Sequence, residues 1–321
     1  MNSRPALLLG ACVAVIAPLA GVAQSPAPRS GHAAAYDPIR KRVVVFGGGV
    51  DGAVPYPRDS WGWDGTRWAL LSADGPPGRD DGIMEYDPLS KALLLYGGRT
   101  FANRTPSFRT DTWTFDGKWT LRDTMGVGVR EHSEIVVDHP AAGPLLIGGV
   151  ATDRPATLAD AWRWNGSAWK LVAAPRLDRT VLDGAVAIAA YGVVSVAVAL
   201  DSADGTGLAS TRVLHWTGSA WLPADSARGP AISPKVPVTA GPLPGTLVLF
   251  DQFPPNRVTS TWIWRRGSWA KVAGEQPPAR RGAAMVYDPG RKRVVLIGGD
   301  TGDKLLADVW EFDGTTWTRV L

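Results

Sequence analysis

Apolar and polar positions follow one pattern along this chain, and the pattern returns six times at intervals of about 50 residues. In the first repeat a mixed segment, His32 to Tyr36, runs into Asp37-Pro38, where the carboxylate can cap a turn and the proline presets its backbone angle. A continuously apolar segment follows, Arg42 to Phe46, as expected of a strand covered on both faces. It stops at Gly47-Gly48, where paired glycines allow close backbone approach or positive φ. After a variable loop, Trp61 and Trp63 stand two apart and so on one face of a third strand. Asp64-Gly65 is a strong hairpin signal, and Trp68 opens a fourth strand.

The other repeats preserve this order. All 15 tryptophans fall into three columns. The first holds Trp61, Trp113, Trp162, Trp262 and Trp310, with Leu214 in the fourth repeat; the second holds Trp63, Trp164, Trp216 and Trp264, with Phe115 and Phe312. The third is unbroken: Trp68, Trp119, Trp169, Trp221, Trp269 and Trp317. An arginine column keeps the same phase at Arg29, Arg79, Arg130, Arg179, Arg228 and Arg280. Asp37, Asp87, Asp138 and Asp288 mark the first turn, and the glycine pair recurs as Gly97-Gly98, Gly148-Gly149 and Gly298-Gly299. Repeats four and five keep the apolar run but lose the glycines. The predicted fold is all-β: a six-bladed β-propeller of four-stranded antiparallel blades, with blades near 29–75, 76–126, 127–175, 176–225, 226–275 and 276–321.

An arginine before strand one, a diglycine after strand two and tryptophans on strands three and four resemble the kelch family across essentially the whole chain beyond residue 23. The resemblance implies a six-bladed ring, with ligand contacts made by loops between strands two and three and between successive blades. Leu214 and the missing diglycines depart from the family's pattern. No strand from the opposite terminus is evident to complete a blade, so ring closure is expected from blade one packing on blade six.

Composition adds compartment and partner class. Residues 1–23 read as a secretory signal, with Arg4, an apolar stretch from Ala6 to Ala20, and Gly21-Val22-Ala23 as a small-residue cleavage site. A secreted or periplasmic protein follows; a lipoprotein anchored through Cys12 is the alternative, disfavoured by the short apolar stretch before it. Cleavage removes the only cysteine and with it any disulfide. With 45% hydrophobic and 20% charged residues and a formal charge of +4, the chain reads as an ordinary globular protein. The small basic excess implies no nucleic-acid partner, and no later stretch is long and apolar enough for a transmembrane segment. The sequence does not set the oligomeric state, and a monomer is compatible with it.

Candidate chemistry is sparse. Galactose oxidase, which resembles kelch propellers, uses a tyrosine crosslinked to cysteine, which a chain without mature cysteine cannot form. His32, His132, His139 and His215 lack close metal-ligand spacing, and Asp201, Asp204 and Gly205 lack the full alternating pattern of a calcium loop, so no cofactor is expected. The arginine column has two readings: an ion pair repeated in every blade, with Asp59, Asp111, Asp160 and Asp308 as partners, or an electropositive mouth in which Arg79 and Arg130 bind an anion. The loop of repeat two mixes cations with aromatics, as recognition surfaces do, through Arg99, Phe101, Arg104, Phe108 and Arg109; Tyr56 stands in the loop of repeat one. The function expected is a non-catalytic binding or scaffold module for a protein or glycan. The alternative is a carbohydrate-modifying enzyme similar to the sialic acid mutarotases, whose acid–base chemistry would draw on Glu85, Glu131 or Glu134.

Overall fold

The computed structural model describes residues 25–50, 56–102, 105–137, 139, 141–151, 156–158, 160–173, 188–190, 193–195, 209–211, 213–217, 221–224, 229–232, 236–252 and 257–321. The predicted signal segment with Cys12, Arg104, Arg179, Arg228 and the Asp201–Gly205 stretch lie outside these residues.

Each repeat becomes a meander. In repeat one, Ala33–Asp37, Arg42–Phe46, Ser60–Trp63 and Trp68–Ser72 pair in chain order, each antiparallel to the next. The same order holds for Ile83–Asp87, Ala92–Tyr96, Thr112–Phe115 and Trp119–Asp123 in repeat two, and for Glu134–Val136, Leu145–Ile147, Ala161–Trp164 and Trp169–Ala173 in repeat three. Repeat five contributes Val238–Ala240, Thr246–Asp251, Ser260–Arg265 and Ser268–Lys271; repeat six contributes Ala284–Asp288, Arg293–Asp300, Leu305–Phe312 and Trp317–Arg319. Among the described residues there is no helix. These five sheets are the blades of a β-propeller, one fewer than the sequence predicts. In repeat four, Ile188–Ala190, Val193–Ser195, Leu214–Trp216 and Trp221–Pro223 also run as a four-stranded sheet, its middle ladder among the described residues being the pair Ser195↔His215. That repeat has lost the glycines that cradle its neighbour, and Arg212 replaces the aspartate of the third strand.

The first strands are innermost: that of repeat one packs beside those of repeats two and six, that of repeat two beside repeat three, and that of repeat five beside repeat six. Apolar second strands explain why the ring holds. Val44 and Phe46 of one face meet Met84, Leu93, Leu95 and Phe115 of blade two. On the other face Val43 and Val45, with Trp61, Trp63 and Trp68, meet Val295, Ile297 and Val309 of blade six. Burying both faces of every sheet removes the alternation expected of a half-exposed strand. At about 25 cal/mol per Å² of apolar surface, each buried tryptophan contributes several kcal/mol to the interblade contact.

The ring closes without an exchanged strand. Asp81 N donates to Gly31 O at 2.8 Å, and Gly31 N donates to Gly282 O at 2.7 Å, so the junction between the last and first blades repeats the one between blades one and two. Gly48 N likewise reaches Arg79 O at 2.9 Å, and Gly299 N reaches Arg29 O at 2.9 Å. Gly48 has φ +90 and lies against Ser30 and His32; a Cβ there would meet Ser30 O at 2.9 Å, so the glycine is required by both its backbone angle and the close approach.

Candidate functional site

Four column arginines are scaffold. Arg29, Arg79, Arg130 and Arg280 each make a two-pronged ion pair, to Asp59, Asp111, Asp160 and Asp308, with N···O distances from 2.6 to 3.2 Å. The Nη1 of each also donates to a diglycine carbonyl, of Gly47, Gly97, Gly148 and Gly298 respectively. The indole N–H of Trp61, Trp113, Trp162 or Trp310 donates to the same aspartate. Burial alone would push Asp59 and Asp111 up, but the hydrogen bonds and charges of Arg29 and Arg79 outweigh it and hold both carboxyls below the ordinary range. Arg79 and Arg130 are buried and their guanidiniums engaged, so the structure places both inside the blades and not at a ligand mouth. A bidentate carboxylate within each blade satisfies them before any ligand can.

The mouth is the end where second strands finish and first strands begin. There, the residue after each column arginine pairs across to the residue after the diglycine: Ser30 with Gly49, Asp80 with Arg99, Glu131 with Val150, Arg281 with Asp300. In repeat two this register sets an aspartate opposite an arginine. Arg99 opens a hairpin, Arg99–Ala102 with Thr105–Phe108, that no other described loop matches in length. Its guanidinium lies 2.7 Å from Asp81, 3.5 Å from Asp80, and in direct contact with Glu131 of the next blade. Phe101, 37% exposed, stacks under the same guanidinium at 5.2 Å. Tyr56 of repeat one completes the cluster: burial raises its phenol pKa, and the charge of Asp80 adds to the rise.

Three carboxylates around one cation leave this cluster with an excess of negative charge. Burial, then the charge of Asp81, pushes Asp80 up to about 6, and its Oδ1 is buried without a hydrogen-bond partner among the described residues. Asp81 and His132 adopt φ of 52 and 56 at the position where repeats one and six have Gly31 and Gly282. A side chain held in the left-handed region at two neighbouring mouth positions is a cost of order 1 kcal/mol each that the scaffold does not need, since glycine serves elsewhere.

Deeper in, Glu85 and Glu134 stand on the adjacent first strands of blades two and three. Burial pushes the Glu85 carboxyl up to about 7, against a 2.6 Å hydrogen bond from Tyr86 N; burial, then the charge of Glu85, pushes Glu134 to about 8. Each keeps part of its surface open, as a group in a narrow channel does. Buried His32 has both nitrogens without a hydrogen-bond partner among the described residues, and burial followed by the Arg29 charge lowers its pKa to about 3.

Of the residues picked from sequence, the structure brings Arg99, Phe101 and Tyr56 together with Glu131. Phe108 pairs with Arg99 across the hairpin and is half-buried; Arg109 donates its backbone N–H to Gly98 O, anchoring the hairpin's return. Asp80 and Asp81 are the site residues that sequence reasoning passed over. Their signal was available: aligned on the arginine column, the next two positions read Ser-Gly in repeat one, Asp-Asp in repeat two and Glu-His in repeat three. Among the described residues no group of three or more histidine, cysteine, aspartate or glutamate side chains is placed to hold a metal ion. No protein-family model matches the chain, and a search of curated proteins finds no match.

Proposed function

We propose that this chain is an exported six-bladed kelch-type propeller that binds a neutral or amino-bearing glycan at the mouth of blades two and three, without catalysis. The sheet of repeat four supports the sixth blade, because it keeps the meander order of the others and its first strand packs beside that of repeat five. The observation that carries the ligand assignment is the Arg99 cluster. Asp80, Asp81 and Glu131 outnumber the one cation they surround, and carboxylates accept hydrogen bonds from hydroxyl and ammonium groups while repelling acids. Phe101 and Tyr56 supply aromatic surface at the same rim. The sialic-acid-type reading loses its anion receptor, since Arg79 and Arg130 are spent on Asp111 and Asp160.

A second reading rests on Glu85 and Glu134. Two carboxyls with pKa values raised to about 7 and about 8 are poised to exchange protons near neutrality, as ring opening of a neutral sugar requires. A thermal-shift panel of neutral, amino and acidic sugars tests the binding reading: neutral or amino sugars should stabilise and acidic ones should not. A ligand at 100 times its Kd adds about 2.7 kcal/mol. Stabilisation by acidic sugars alone would refute the assignment. Accelerated anomer exchange, abolished in Glu134→Gln, would establish the second reading.

A further inference from the structure

The end of the propeller opposite the mouth carries the turns between first and second strands and between third and fourth strands. These turns interlock around the ring. The Pro242 ring of repeat five lies against Gly314 of repeat six, the Arg291 guanidinium of repeat six reaches over Gly65 of repeat one, and Arg40 of repeat one reaches Gly117 and the carbonyl of Asp116 in repeat two. One continuous surface therefore runs from repeat five through six and one to two.

Two independent features of this surface point to the same partner. First, cations outnumber acids on it: Lys41, Lys91, Lys118, Arg266 and Lys292 stand against Asp64, Asp116 and Asp313 of the turns between third and fourth strands. The first-turn aspartates are spent inward: Asp37, Asp87 and Asp288 are 0–1% exposed and accept backbone N–H groups of their own turns. Lys41, Lys91 and Lys292, the equivalent residues of three turns, are exposed and have no ion pair among the described residues, as are Lys118 and Arg266. Secondly, the tip of the first turn is apolar in repeats one, two and five: Ile39 is 58% exposed, Leu89 49% and Leu243 49%. Each tip stands beyond a buried aspartate or in a proline-flanked turn, and Leu89 also lies against Gly143 of repeat three. Apolar tips on a face with an excess of cations suit an interface in which the tips enter hydrocarbon while the cations meet anionic headgroups.

We infer that the turn face docks this propeller on an anionic lipid bilayer, which leaves the Arg99 mouth pointing away into solvent. The inference is independent of the glycan assignment. Shallow insertion of the three tips supplies the apolar term, and the lysine ring supplies an electrostatic term that fades with salt.

The test is flotation of the exported protein with vesicles of phosphatidylcholine alone or with 30 mol% phosphatidylglycerol, a composition of roughly physiological surface charge. Binding is expected to the anionic vesicles only, and to fall as salt rises. Lys41→Asn, Lys91→Asn and Lys292→Asn together keep residues that tolerate positive φ and should weaken binding on the order of 100-fold, about fivefold per charge. Ile39→Ser, Leu89→Ser and Leu243→Ser together should weaken it at least about tenfold. All variants share the wild-type amino terminus, so a difference between them reads the turn face alone. Equal binding by wild type and both triple variants, or no binding to anionic vesicles, overturns the inference. Binding to soluble dextran sulfate that matches vesicle binding and ignores the serine substitutions would assign the face to a polyanion and also overturn it.

Discussion

The indole nitrogen of Trp169 donates to Thr112 Oγ1 at 2.9 Å, joining blade three to blade two across 57 positions of chain. Trp119 makes the same bond to Ser60 Oγ at 2.8 Å, and Trp317 to Thr261 Oγ1 at 2.8 Å. At the ring closure the hydroxyl position is Val309, and Trp68 Nε1 is buried with no partner among the described residues. Two reciprocal changes follow. Thr112→Val should destabilise by about 1–3 kcal/mol, because it orphans a buried donor, whereas Val309→Thr should stabilise by about 1 kcal/mol by giving Trp68 an acceptor. Denaturant melts of the two variants decide it; a Val309→Thr variant weaker than wild type would show that this junction is not equivalent to the others.

The blade plan was legible because a repeat lets weak signals add. A lone tryptophan two residues from another says little, but Trp68, Trp119, Trp169 and Trp317 at one phase identify a fourth strand, and all four open one. The pairing of Arg29, Arg79, Arg130 and Arg280 with their aspartates was legible for the same reason. The Asp80–Asp81–Arg99–Glu131 cluster was not, because it is built where the repeat is broken and joins two blades through a loop of irregular length. Repeat five shows how little the lost columns cost: without a diglycine and with Ser260 for the aspartate, its second and third strands still pair from Thr246↔Arg265 to Asp251↔Ser260.

Stability should fall on both sides of weakly acid pH. Glu85, Glu134 and Asp80 have folded pKa values raised to about 7, about 8 and about 6, above their ordinary values of 4.5, 4.5 and 3.8. Raised carboxyls favour the folded state when protonated, so their contribution is lost as pH climbs from about 4 to about 8. Glu134→Gln should therefore raise Tm at pH 9, by about 3 °C for each kcal/mol recovered, and leave it little changed at pH 4. On the acid side His32, lowered from 6.5 to about 3, must remain neutral in the fold, so stability drops as pH falls through that window. A flat Tm from pH 5 to 9 in wild type would contradict the channel placement of the glutamates.

Burial, and then the charge of Asp81, disfavour the ionised form of Asp80. Replacing it with asparagine removes the repulsion from Asp81 while keeping the size and backbone pairing with Arg99. Asp80→Asn should equal or exceed wild-type stability above pH 6, yet lower ligand affinity about tenfold through loss of a charged acceptor. Thermal melts and a binding titration on the same preparation separate the two effects; a variant that loses stability instead would place Asp80 with the scaffold.

Residues that obey the repeat hold the ring together, and the proposed function has residues that break it meet the ligand. Arg79→Lys and Arg99→Gln compare these roles directly, measured side by side for Tm and for binding to a glycan array. Arg79→Lys strips a buried bidentate pair and should cost about 3 kcal/mol or more, with the array pattern of the surviving folded protein unchanged. Arg99→Gln should melt within about 3 °C of wild type, since its cluster is partly exposed, and lose its neutral glycan signals. The reverse pattern, with Arg79→Lys stable but blind and Arg99→Gln unfolded but binding until it melts, would contradict the account.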